Sequence, residues 1–168
     1  MKAAGIVIAI ALALALQTTL ARFVVGGTAA VDLVLVIVVY VALTRGPAGG
    51  MLAGSAAGLI QDALSSGVIG IGGLAQSIVG YAAGMVGQQF IMTAALPRFV
   101  LFMAATALHA LVFIGLYVLL GLRTFPSPWV AVAGQAVGNA AVGVIGFTIV
   151  EALPGVFERR RTAKRTRH

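Results

Sequence analysis

The sequence predicts an all-α membrane protein with about six transmembrane helices in a compact bundle. Two features of its composition support this prediction: 61% of the 168 residues are hydrophobic and only 9% are charged, and the mean hydropathy is +1.10. In an average soluble domain, about a quarter of the residues are charged. A third observation is that the charged residues divide the chain into apolar stretches long enough to cross a bilayer. We therefore expect a transmembrane domain over residues 1–157 and a basic, disordered cytoplasmic tail over residues 158–168.

Three helices are predicted in the first half of the chain. The first covers about residues 3–21; it resembles a secretory signal peptide but is long enough to cross the membrane, so we interpret it as an uncleaved span. The second covers about residues 28–44 and has Asp32 in its first turn, where a carboxylate suits the positive end of the helix dipole. The third begins near Pro47, a favourable first-turn residue, and ends around Asp62.

Three further helices are predicted in the second half. The fourth covers about residues 69–88, and its glycine-rich start leaves a re-entrant loop within residues 46–73 as an alternative. The fifth runs from Pro97 to just before Arg123. The sixth covers about residues 128–154 and is bracketed by prolines, which favour the first turn of a helix and stop it at the other end.

The distribution of basic residues predicts the orientation of the chain. Six of its 11 Lys and Arg residues lie in the last ten positions. If both termini are cytoplasmic, Lys2, Arg45 and Arg98 join this tail on the inner side, and only Arg22 and Arg123 lie outside. The tail has no aromatic residue to stack on a base, so we expect the lipid bilayer rather than nucleic acid as its partner. The chain has no cysteine, which excludes disulfides and thiolate metal sites.

A glycine repeat is the most informative motif of the chain. Gly46, Gly50, Gly54 and Gly58 follow one another at every fourth residue, and Asp62 comes one step later. Such spacing exposes backbone along one face of a helix, so that a neighbouring helix can approach closely in lipid. A carboxylate at the end of this face is costly in hydrocarbon and needs water, the headgroup region or a partner.

The ionisable residues do not combine into a convincing active site. Asp32 and Asp62 allow an intramembrane aspartyl peptidase as a remote alternative, but that family places one aspartate in an asparagine-containing box, and the only asparagine here is Asn139. His109 lacks a second metal ligand at i+3 or i+4, and we interpret it as a structural residue. We therefore expect no catalytic residue, no metal and no cofactor.

Side-chain amides provide the remaining polar groups within the predicted helices. Gln135 and Asn139 lie one turn apart among small residues, a pattern typical of hydrogen bonds between helices. The alternative is a ligand pocket that they line together with Gln76, Ser77 and Tyr81.

The stretch from Gly58 to Gly70, continuing through Leu74 to Gly80–Gly84, resembles the most recognisable segment of MreD, the rod-shape-determining membrane protein of bacteria. The resemblance implies a non-enzymatic adaptor in the cell-elongation machinery of the bacterial inner (plasma) membrane. It also implies a fold similar to the S component of energy-coupling-factor transporters. A vitamin-binding S component is therefore the alternative function. The candidate residues for helix packing or partner binding are Gly50, Gly54, Gly58, Asp62, Gly67, Gly70, Gly80, Tyr81 and Gly84.

The resemblance further implies a set of protein partners. MreD-like proteins bind MreC and work with the polymerase RodA and a class-B penicillin-binding transpeptidase in peptidoglycan synthesis. Contact with the filament protein MreB through the cytoplasmic side is left open. We hypothesise that the outer turn from Asp62 to Gly67, and the small-residue faces beneath it, receive MreC. Asp62 then either bonds N–H groups of the turn or binds a basic group of the partner.

Overall fold

The structure, a computed structural model, is a bundle of α-helices. It describes residues 3–20, 31–65, 67–90, 94–123, 125 and 127–165, and it describes the side chains of these residues from 5 to 152 except that of residue 20. Five helices and no strand are present in these residues, which confirms the all-α prediction. The helices are α1 (Ala3–Leu20), α2 (Leu33–Leu64), α3 (Ile71–Gln89), α4 (Ala95–Leu119) and α5 (Trp129–Arg165).

Helix α2 folds back on itself at Gly46. This residue has φ 79° and ψ −175°, outside the helical region, and Pro47 starts the next helical segment. A Cβ atom on Gly50 would lie 2.6 Å from the Cβ atom of Ala42. In a continuous helix, residues eight apart are separated by about 12 Å along the axis. The two arms of α2, residues 33–45 and 47–64, therefore form an antiparallel hairpin.

This reversal gives the bundle two chemically different ends. Asp32 and Asp62 lie together at what we call the aspartate end, because they begin the first arm and finish the second arm of α2. The opposite end contains Gly46 and the ion pair of Arg98 with Glu151, and we call it the arginine end. Consecutive helical segments alternate in direction between these ends, so that α1 begins at the arginine end and residue 151 of α5 returns to it.

Two apolar clusters form the core. The larger one joins the first arm of α2 to α3, α4 and α5; its members include Leu35, Val39, Val79, Phe102 and Ala140. The smaller one joins α1 to α2. Among the described residues, α1 packs only against α2, and a crevice of about 170 Å³ separates α1 from α5.

Several helix boundaries differ from the predicted ones. Helix α3 starts at Ile71 rather than residue 69, because Gly70 takes a left-handed conformation with φ 109°. Asp32 precedes α2 as its N-cap and accepts a hydrogen bond from the Leu35 N–H group at 3.0 Å, whereas residues 28–30 of the predicted helix lie outside the described residues. The predicted stop at Pro154 is wrong, since the α5 backbone continues to Arg165. Proline removes one hydrogen bond, and the good helix formers that follow favour continuation.

Length and composition place these helices in the membrane class. Within the described residues, three helical stretches are long and apolar enough to cross a bilayer: Leu33–Leu64 taken as one helix, Ala95–Leu119 and Trp129–Ala152. Gly5–Thr19 is a shorter apolar helix. The glycines and glutamines of α3 make it less apolar, but nine of its 19 residues are buried, so it presents less surface to its surroundings.

Candidate partner-binding site

The glycine face of α2 is filled by α3 of the same chain. A Cβ atom on Gly50 would overlap the carbonyl oxygen of Gly80, and one on Gly54 would overlap that of Gln76. At Gly58 the same atom would lie 2.7 Å from the carbonyl oxygen of Gly72. Each step of four residues along α2 meets a step of four in the opposite direction along α3. The predicted close approach is therefore present, and the backbones of α2 and α3 make it.

The glycines of α3 complete this contact. A Cβ atom on Gly80 would overlap the carbonyl oxygen of Gly50, and one on Gly84 would lie 2.5 Å from the Cα atom of Pro47. Both helices thus contribute glycines at the same levels. Since any side chain at these positions would separate the helices, we assign Gly50, Gly80 and Gly84 to packing within the chain.

Asp62 holds the turn between α2 and α3. Its Oδ2 atom accepts hydrogen bonds from the backbone N–H groups of Gly70, Gly72 and Gly73 at 2.9, 3.0 and 3.2 Å. The first N–H groups of a helix have no acceptor inside the helix, and a carboxylate there also suits the helix dipole. The carboxylate is buried, with only 6% of Asp62 exposed. Asp62 therefore caps α3 from a distance of eight residues in sequence, as the first of its two predicted roles requires.

The other predicted site residues separate into two groups. Gly67 and Gly70 lie in the turn with Asp62; Gly67 is exposed, and the positive φ of Gly70 suits a residue without a side chain. Tyr81 lies eleven residues further along, about 16 Å away at 1.5 Å per residue. Its side chain is half exposed on α3, so the structure does not bring it to the turn.

An apolar patch surrounds this turn at the aspartate end. The N–H group of Val68 donates to Tyr117 Oη at 3.2 Å, which joins the turn to the last residues of α4. Large apolar side chains there are between 43% and 81% exposed. We call them the end patch: Leu64, Val68, Ile69, Leu119, Leu120 and Leu122. Irregular backbone is not stable when it is exposed to hydrocarbon, so we expect the turn at the membrane surface. Apolar side chains at that level are exposed to water unless another molecule covers them.

A buried polar network links three helices near the same end. Asn139 on α5 accepts the backbone N–H of Asp32 at 2.7 Å and donates to Thr106 Oγ1 on α4 at 3.0 Å. Asn139 therefore forms the kind of hydrogen bond between helices that its pattern predicts. Gln135 instead lines a cavity with His109. Asp32 and Asp62 each cap a different helix, an arrangement that uses them as structural acceptors.

One ion pair at the arginine end was not predicted from the sequence. Arg98 donates from Nη1 and Nη2 to the two carboxylate oxygens of Glu151 at 2.8 and 2.7 Å, and its guanidinium lies 4.0 Å from the centre of the Phe147 ring. This ion pair could have been inferred from the sequence, because α4 and α5 are consecutive antiparallel helices. Folding them about the residue 120–128 connection brings the start of α4 opposite residues 147–151 of α5.

Asp32 and Asp62 act as helix caps, Asn139 forms a bond between helices, and Arg98 and Glu151 form a bidentate ion pair. In the part of the chain that the structure describes, no three His, Cys, Asp or Glu side chains lie close enough to hold a metal ion. These features define a helical membrane protein whose polar groups hold its helices together.

Comparison with known families specifies this class further. The family described as rod shape-determining protein MreD matches residues 3–152, and the chain belongs to that family. The family has a role in rod-shape determination and is part of the shape-determining complex with MreC and related proteins. It is an inner-membrane family, in agreement with the apolar helices. No curated protein and no solved structure matches the chain.

Proposed function

We propose that this protein is a non-enzymatic adaptor of the cell-elongation machinery and that it binds MreC at the end patch. The observation that carries the proposal is an exposed apolar surface on and around the irregular turn between α2 and α3. Asp62 and Tyr117 hold the turn in place from α2 and α4. Because this apolar surface is preformed, little conformational entropy is lost when a partner binds to it.

The glycine repeat has a supporting role in this proposal. Because α3 already occupies Gly50, Gly54 and Gly58, these residues serve the partner indirectly by bringing the two ends of the turn together. The small-residue faces beneath the turn are thus part of the scaffold. The docking surface is confined to the turn and the end of α4.

The same proposal includes six membrane crossings with both termini in the cytoplasm. Support comes from the hairpin of α2, which gives six helical segments of alternating direction. Arg45 and Arg98 then lie on the cytoplasmic side with the start of the basic tail, as the positive-inside rule favours. The aspartate end faces outwards. We also propose a fold similar to the S component of energy-coupling-factor transporters, as the resemblance to MreD implies.

The further partners proposed are RodA and a class-B penicillin-binding transpeptidase, with MreB on the cytoplasmic side. An adaptor role is supported by the use of the polar side chains as caps and helix-to-helix bonds. A chain of this kind contributes by holding partners in one complex.

Affinity purification from native membranes tests the proposal. Ile69→Ser and Leu119→Ser reduce the end patch, and Leu52→Ser is the matched control, because Leu52 is 65% exposed on the second arm of α2, outside the patch. Burying one such side chain contributes about 1.5–3 kcal/mol, so each patch variant should retain MreC at least about tenfold more weakly. Leu52→Ser should retain it as the unaltered protein does. Equal retention by all three variants contradicts the docking surface, and co-purification of an ATPase module or a vitamin contradicts the adaptor function.

A further inference from the structure

A cavity of about 350 Å³ opens between α4 and α5 at the aspartate end. Its wall includes Phe113 and Ile114 from α4, Val132 from α5, and Phe125 from the connection between them. Helix α4 runs towards the aspartate end and α5 runs away from it. His109 and Gln135 therefore line the part of the cavity farthest from the aspartate end, and Phe125 lines the part nearest to it.

The end of the cavity farthest from the aspartate end is polar, and no Asp, Glu, Lys or Arg is among the lining residues. His109 and Gln135 both line it, and within the described residues neither side chain has a hydrogen-bond partner. The two groups offer donors and acceptors together. An occupant that bonds them needs a polar group at its inner end.

Aromatic rings form part of the cavity wall, since His109, Phe113 and Phe125 line it, and Tyr117 lies behind them. The rings of His109 and Phe113 stack with centres 5.7 Å apart, Phe113 and Tyr117 are 4.8 Å apart, and Tyr117 meets Phe125 edge-on at 6.0 Å. Tyr117 also accepts the hydrogen bond from Val68. One row of rings thus leads from the end patch into the cavity.

We propose that this cavity binds an aromatic ring with a neutral hydrogen-bonding group, namely the side chain of a tyrosine or tryptophan from the partner that covers the end patch. The inference rests on the proposed function for the source of the ring. Ring-to-ring contacts suit the wall, and a phenol or indole group bonds His109 or Gln135. A charged group would lose its hydration without an opposite charge among the lining residues, and an aliphatic one would leave both polar groups unsatisfied.

Binding of side-chain analogues to the purified protein tests the chemistry of the cavity. The probes are p-cresol and 3-methylindole, with toluene as the analogue that has a ring but no polar group. The imidazole signals of His109 report binding by NMR; the chain has two histidines, and His168→Ala identifies the other one. Loss of one hydrogen bond should make toluene bind about three- to tenfold more weakly than p-cresol. Equal binding, or no saturable shift of the His109 signals, overturns the proposal.

A filled cavity tests the source of the ring. Ala131→Phe places a ring in the cavity, and Ala133→Phe adds the same ring to an exposed position of the same helix. Ala131→Phe should abolish p-cresol binding and weaken retention of the native partner, whereas Ala133→Phe should change neither. Loss of p-cresol binding with unchanged retention overturns the side-chain source but leaves the proposed function intact. If the unaltered protein retains no partner, the proposed function has failed, and saturable p-cresol binding then assigns the cavity to a free small molecule.

Discussion

Replacing Asp62 measures how much the fold depends on one carboxylate. In Asp62→Ala, three backbone N–H groups lose the oxygen that accepts them at 2.9–3.2 Å. A hydrogen bond to a charged group contributes about 1.5–3 kcal/mol, and because these three share one atom, we expect about 3 kcal/mol in total. In a chain of this size, 1 kcal/mol corresponds to about 2–4 °C, so the midpoint of thermal unfolding should fall by about 6–12 °C.

Asp62→Asn separates the hydrogen bonds from the charge. Asparagine keeps an oxygen at the same place and loses only the charge–dipole contribution, so the midpoint should fall by about 2–4 °C, for a loss of about 1 kcal/mol. The assay is size-exclusion chromatography of the detergent-purified protein after heating to a series of temperatures. Thr44→Ala is the control, since Thr44 is exposed and bonds only carbonyl groups of its own helix. An unchanged midpoint in Asp62→Ala would refute the assignment of this residue as the cap of α3.

Two further pairs of variants test the contacts between helices by the same heating assay. Gly54→Ala places a methyl group against the Gln76 backbone and should cost about 1–3 kcal/mol, whereas Gly134→Ala, which meets nothing within 4 Å, should leave the midpoint unchanged or raise it; equal shifts would contradict the packing. Glu151→Leu removes the carboxylate from Arg98, whose side chain is 5% exposed, and should cost about 3 kcal/mol. Arg98→Leu should cost less, because the Glu151 side chain that remains is 53% exposed. The double variant should have a higher unfolding midpoint than Glu151→Leu. A larger fall of the midpoint in Arg98→Leu than in Glu151→Leu would contradict the view that the buried Arg98 charge dominates the cost.

The general architecture was predictable because lipid restricts it strongly. Apolar stretches between charges predict helices, and the helix break at Gly46 follows from glycine before proline, as the predicted start at Pro47 anticipates. The four-residue glycine spacing predicts a close helix contact, and the energetic cost of Asp62 in lipid predicts that something bonds it. Each of these inferences uses only neighbouring residues.

Pairing between distant segments was less predictable. The four-residue glycine spacing does not indicate which helix packs against the glycine face of α2. That this helix is α3 depends on the length of the turn that Asp62 holds. Arg98 and Glu151 are 53 residues apart, and Asn139 bonds a backbone group 107 residues away, so both contacts follow from the tertiary register. Gln135 lines a cavity, whereas Asn139, one turn later, belongs to a hydrogen-bond network. This difference depends on the direction in which each side chain leaves the helix.

The unequal surfaces of α1 and α3 have a consequence for how the chain is assembled during synthesis. Helix α1 leaves the ribosome before α2, is apolar on every side and, among the described residues, packs only against α2, so it is stable as an isolated helix in the bilayer. Helix α3 has backbone-exposing glycines and several glutamines, so as an isolated helix it would be less stable in lipid than α1. Because α3 packs along the second arm of α2, we expect these two helical segments to enter the membrane as a pair.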